Sequence, residues 1–81
     1  KIVARPVIPG DWATFVSTDE ILGVLVNVCD VHWVAFVRVG QDVFLVDPVY
    51  HPRIVDEAVF RWVVGDMPGA YFVVPHDSEL A

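Results

Sequence analysis

Two valine-rich segments, Trp33 to Val39 and Asp42 to Asp47, are separated only by Gly40-Gln41, and that spacing constrains the chain more than any other feature. Both segments are dominated by β-branched and aromatic residues, which suit a pleated, half-buried surface. A glycine placed first in a two-residue connection is the signature of a type II′ hairpin turn. Pairing then runs outward from Val39 and Asp42, setting Val34 opposite Asp47 and His32 opposite Val49. Strand alternation projects His32, Val34, Asp47 and Val49 to one side of the sheet. His32 and Asp47 become diagonal neighbours, roughly 7–8 Å apart at Cα, within reach of an imidazole to carboxylate hydrogen bond. A three-residue loop without a compensating bulge would put them on opposite faces, so the register decides whether the pair exists.

A carboxylate set against one histidine nitrogen fixes the tautomer, leaves the other nitrogen as a base, and stabilises the imidazolium formed when a proton is taken. The partner such a pair needs is a nucleophile. Ser17, Ser78 and the threonines stand in no recognisable nucleophile context. Cys29, the only cysteine, lies three residues before His32, at a strand end or in a turn with Asp30. No helix N-terminus stands behind it to activate the thiol, and the expected role is that of a small buried hydrophobe. Being alone, it forms no disulfide within the chain, which leans away from a disulfide-stapled secreted domain.

The pattern His32-Trp33-Val34-Ala35-Phe36, a short hairpin, then Val46-Asp47-Pro48, a short amphipathic helix and a last strand resembles the C-terminal half of a papain-like cysteine peptidase. Within that superfamily it is most similar to the bacteriocin-processing (double-glycine leader) peptidases and related bacterial and phage domains, over roughly Ile21 to Val74. The resemblance implies a papain-like C-terminal lobe, with His32 as general base and Asp47 as the residue that orients it. In that family the cysteine opens a helix near the N-terminus, after a glutamine that helps form the oxyanion hole, and neither has a counterpart here. The expectation is that this is a piece of a longer or processed protein whose other part carries the cysteine, or a degenerate domain that kept the scaffold. Transglutaminase-like domains space the histidine and tryptophan differently, and Josephin-type deubiquitinases favour Asn where this chain has Asp47, so both rank lower.

Composition limits the alternatives. At 81 residues and 56% hydrophobic, the chain has room for one domain, or half of one, and chains near this size bury only about 60–65% of their unfolded surface. Nineteen valines, three tryptophans and five phenylalanines are hard to hide in so small a body, so some apolar surface is expected to be covered by a protein partner, by a missing part of the same protein or by oligomerisation. The net charge of −6, with five Lys and Arg against eleven Asp and Glu, provides no basic stripe, and nucleic-acid binding is not expected. No apolar run approaches about 18 residues free of charge, so no membrane span is expected. Three histidines and Asp47 could be imagined as metal ligands, yet the spacings of His32, Asp47, His51 and His76 match no zinc pattern. Neither a metal nor a cofactor is expected.

Along the chain, two prolines make residues 1–10 an extended arm or edge. Asp11 to Thr18 is a short helix or an irregular connection, although Ser17 and Glu20 have the spacing of a capping box that would start a helix there. Leu22 to Val28 is a strand by its β-branched content. Val49 to Arg53 reads as a loop, with Pro52 holding His51 out of the helical region. From Val55, apolar residues at 55, 58, 59, 62 and 63 mark a one-sided helix, capped by Asp56 and closed by Gly65 in a left-handed conformation. That pattern makes Trp62 a core residue, and alternation makes Trp33 a core residue on the face opposite His32. Asp66 to Gly69 is a turn, Ala70 to Val74 a final strand, and residues 76–81 a mobile polar tail.

The predicted fold class is α+β: a twisted antiparallel sheet of about four strands with one packed amphipathic helix. Two functions fit it. One is a peptidase or amidase half-domain acting on peptide substrates, in which His32 and Asp47 serve a cysteine supplied elsewhere. The other is a catalytically inactive structural or assembly module on the same scaffold, of the kind found in phage or secreted bacterial particles.

Overall fold

The Gly40-Gln41 connection folds as the sequence predicts, and it sets the geometry of everything around it. Gly40 has φ +61° while Gln41 does not enter positive φ, as a type II′ turn requires, and Val39 pairs with Asp42. A computed structural model describes residues 2–6, 11–65, 69–75 and 77. In chain order the elements are β1 (Ile2–Pro6), α1 (Trp12–Ser17), β2 (Gly23–Val28), β3 (His32–Val39), β4 (Asp42–Asp47), β5 (Tyr50–Val55), α2 (Glu57–Val64) and β6 (Ala70–Pro75). The class is α+β, with one sheet of six strands in the order β1-β6-β2-β3-β4-β5, every neighbouring pair antiparallel.

Six strands exceed the four expected because two segments prove to be sheet edges. Ile2–Pro6 pairs with β6, and the segment read as a loop after Asp47 is β5. Pro52 is compatible with a strand here because β5 ends the sheet and pairs only with β4, so one side of its backbone needs no donor. The register slips between Leu45 and Asp47, which absorbs the irregularity around Pro52. Helix α2 carries the chain from β5 across the sheet to β6, which inserts between β1 and β2.

Both helices cover the same face of the sheet. Strand residues Val24, Val26, Phe36, Phe72 and Val74 are fully buried there under Phe15 of α1 and Phe60 and Val64 of α2. Phe60 is the hub of the cluster. Its ring lies 5.0 Å from Phe36, 5.4 Å from Trp12 and 6.0 Å from Phe15, centroid to centroid. Ring pairs at these distances add about 0.5–1.5 kcal/mol each beyond area burial.

This core corrects the expected face of α2. Asp56 caps the helix as predicted, accepting from the Val59 N–H at 3.1 Å, and Gly65 closes it at φ +33°, ψ −125°, outside the left-handed helical values. The buried stripe, however, runs through Phe60 and Val64, while Ala58 is exposed and Trp62 is 81% exposed. A helix that is apolar on nearly every side does not announce which side faces inward. The aromatic rings of Trp12, Phe15 and Phe36 make that choice through contacts distant in sequence.

Two smaller expectations change as well. Asp11 to Thr18 contains the helix α1, and the Ser17 hydroxyl donates to the Ala13 carbonyl inside it instead of opening a later helix. Trp33 does project opposite His32, but no described residue packs over that side, where Trp33 is 48% exposed and Leu25, Val39 and Ile54 are exposed as well. The expected turn over residues 66–68 and most of the expected tail, residues 76 and 78–81, lie outside the described residues.

Candidate functional site

His32 opens β3 and Asp47 closes β4, so the hairpin presents both at the same end of the sheet. Pairing of Ala35 with Val46 fixes the register predicted for them. Both side chains lie on the helix-covered face, where His32 Nε2 stands 3.5 Å from Asp47 Oδ2. That is an ion-pair separation, slightly longer than the usual 2.7–3.2 Å of an N–H to oxygen hydrogen bond. The carboxylate is held from its other side. Asp47 Oδ1 accepts the Val49 N–H at 2.9 Å, an Asx turn through Pro48 that aims Oδ2 at the imidazole. The Asp47 side chain is 16% exposed and that of His32 41%, so the acid is set into the surface and the base reaches out from it. With Nε2 toward the carboxylate, Nδ1 is left to act, and it makes no hydrogen bond among the described residues.

The pair lines a cleft of about 860 Å³ between the sheet and α2. Val28, Val34 and Leu45 give it an apolar floor, Tyr50, His51 and Arg53 of β5 form one wall, and Arg61, Trp62 and Val63 of α2 the other. The volume falls within the range of about 300–1,000 Å³ typical of ligand clefts. The cleft exists because β5 extends the sheet past the end of α2's packing stripe, leaving the outer strands uncovered there. Sequence reasoning missed these walls. Reading residues 49–53 as a loop hid Tyr50, His51 and Arg53, and assigning Trp62 to the core removed the most exposed aromatic from consideration. The usable signal was the breadth of the apolar surface of α2, which covers all but the Glu57–Arg61 side and is too wide to be buried whole, so that a large residue faces outward.

Cys29 departs from expectation. It is exposed, and it does not line the cleft. It sits in the turn from Val28 to Val31, closed by the Val31 N–H donating to the Val28 carbonyl, with φ of +53° at Cys29 and +59° at Asp30. Positive φ is uncommon for a residue with a Cβ, and Asn27 steadies the turn by donating from Nδ2 to Asp30 Oδ1 at 3.0 Å. Among the described residues no three or more His, Cys, Asp or Glu side chains come together as a metal site. His51 shares the cleft with His32 and Asp47, while His76 and Ser78 lie outside the described residues. No helix among the described residues is long and apolar enough to cross a membrane.

Comparison with protein-family models, with curated proteins and with solved structures gives no match to this chain.

Proposed function

We propose that His32 and Asp47 are the base and the orienting acid of a papain-like thiol hydrolase centre whose cysteine is supplied by polypeptide outside these 81 residues. The observation that carries this reading is the 3.5 Å approach of His32 Nε2 to Asp47 Oδ2 at the edge of an 860 Å³ cleft. In this chemistry His32 Nδ1 takes the thiol proton, and the thiolate adds to an amide carbonyl carbon. The imidazolium, stabilised by Asp47, then gives its proton to the departing amine as the C–N bond breaks. Water attacks the resulting thioester, giving up a proton to His32; the C–S bond breaks, the thiolate leaves and recovers its proton from the imidazolium, and the acid product departs.

The test is made on the full-length gene product with a peptidyl vinyl sulfone, which traps an activated thiolate. A cysteine other than Cys29 is expected to label, with His32→Ala slowing labelling by about 100-fold or more and Asp47→Asn by at least about 10-fold. Cys29→Ala is expected to change nothing. Labelling no faster than that of an ordinary exposed thiol, or labelling of Cys29 alone, overturns the reading.

A second reading, a non-catalytic assembly module, draws on the uncovered side of the sheet. Leu25, Trp33, Val39 and Ile54 lie exposed there, with Phe44, Val46 and Val73 half-buried between them. Exposed apolar surface of this kind is common where another protein docks, which supports this reading. In this reading Asp47 serves the β4–β5 turn through its bond from the Val49 N–H, and the approach of His32 is inherited geometry.

A further inference from the structure

The described lining of the cleft does not share the acidic excess of the chain. Across the whole sequence acids outnumber Lys and Arg eleven to five, yet the described residues that line the cleft include Arg53, Arg61 and only one acid, Asp47, which His32 already faces. Arg61 is engaged, its Nε donating to Glu57 Oε2 at 2.8 Å along α2. Arg53 makes no ion pair or hydrogen bond among the described residues. It pairs across the ladder with Leu45, which places the guanidinium on the cleft side of the sheet directly beside the apolar floor. Trp62 and Tyr50 are 81% and 74% exposed, two large aromatic surfaces left in water on opposite walls.

From this geometry we infer that the cleft binds an apolar carboxylate: Arg53 takes the carboxylate, and Trp62 and Tyr50 hold the hydrophobic group beside it. One unengaged guanidinium suits one carboxylate and not a run of phosphates, which needs several cations. A cationic ligand would meet the unengaged Arg53, and a purely apolar one would leave Arg53 and His51 facing hydrocarbon. The chemistry is met by an acidic residue within a hydrophobic peptide or by a free aryl or alkyl carboxylic acid. The inference shares its cleft with the hydrolase reading but needs no nucleophile. Failure of thiol labelling leaves it standing, and failure of binding leaves the His32–Asp47 reading untouched.

The experiment is an NMR titration of the isotope-labelled chain at low salt with N-acetyl-Leu-Glu-Leu-amide, N-acetyl-Leu-Gln-Leu-amide and 3-phenylpropionate. The glutamyl peptide is expected to move the Trp62 indole N–H and the amides of Tyr50 and Arg53, binding about fivefold more tightly than the glutaminyl peptide. Arg53→Gln removes that preference, and Trp62→Ala weakens both peptides while leaving the unfolding curve in place. Phenylpropionate moving the same signals as strongly identifies a free acid as sufficient; a response to the peptide alone identifies a peptide. Equal binding of the two peptides, shifts confined to the Trp33 side of the sheet, or no shift by about 10 mM overturns the inference.

Discussion

Arg38 reaches from β3 to the end of α1, where its Nη1 donates to the Phe15 carbonyl at 3.1 Å, a contact spanning 23 residues of sequence. The same nitrogen donates to the Val16 carbonyl at 2.8 Å, and Nη2 meets Asp19 Oδ1 at 2.9 Å. A six-residue helix has no stability of its own, and its last carbonyls need partners. Arg38 supplies them and so ties α1 to the sheet.

Replacing Arg38 by Ala is therefore expected to cost about 2 kcal/mol, the range of hydrogen bonds to a charged donor, measured by urea unfolding. Asp19→Ala is expected to change little, because that carboxylate is fully exposed and its ion pair is solvent-screened. Equal losses from the two variants would mean that the ion pair, and not the carbonyl contacts, holds the helix.

Phe60 and Trp62 give opposite predictions from positions two residues apart. Phe60→Ala empties the centre of the aromatic cluster and is expected to cost about 3–5 kcal/mol. Trp62→Ala, on the exposed side, is expected to stay within about 0.5 kcal/mol of the parent. Denaturation midpoints of the two variants read out the rotation of α2 directly, and a larger loss at Trp62 would contradict it.

Asp47 has two jobs that two substitutions separate. Asn retains an acceptor for the Val49 N–H but removes the charge facing His32, whereas Ala removes both. Asp47→Ala is expected to destabilise by about 1 kcal/mol and to speed hydrogen exchange at the Val49 amide. Asp47→Asn is expected to leave that amide protected. Fast exchange in both variants would show that the turn depends on the charge.

The uncovered sheet face predicts binding of a hydrophobic dye by the native protein. Leu25 and Trp33 are diagonal neighbours there, since Leu25 pairs with Ala35 and Asn27 with Trp33. Changing both to Thr, which keeps strand preference while removing apolar surface, is expected to lower dye fluorescence and leave the unfolding free energy within about 1 kcal/mol. Undiminished fluorescence would place the sticky surface elsewhere, with the cleft as the next location to examine.

The central hairpin was legible because Gly40-Gln41 leaves few turn types and each turn type fixes a register; from that register the proximity of His32 and Asp47 follows. The Asp56 cap was legible for the same reason, a local rule with a local partner. What escaped was decided at a distance. The inward side of α2 depends on rings contributed by α1 and β3, and the strand character of Tyr50–Val55 depends on β4 lying beside it. For Trp33, alternation named the correct side of the sheet, but whether a second layer covers that side is not encoded in the strand. At Cys29 the general tendency of the residue type toward burial gave way to a turn that holds it at positive φ.

Pro52 has a consequence for how copies of this chain meet. A valine-rich sheet that ends in an exposed strand invites a second molecule to continue the ladder and, by repetition, to polymerise into fibrils. Along β5 the row of donors is broken at Pro52, and the slipped register beside it bends the margin out of line. An incoming strand finds no continuous template on that side. The residue that hid the strand from sequence reading thus also blocks growth of the sheet at its β5 edge.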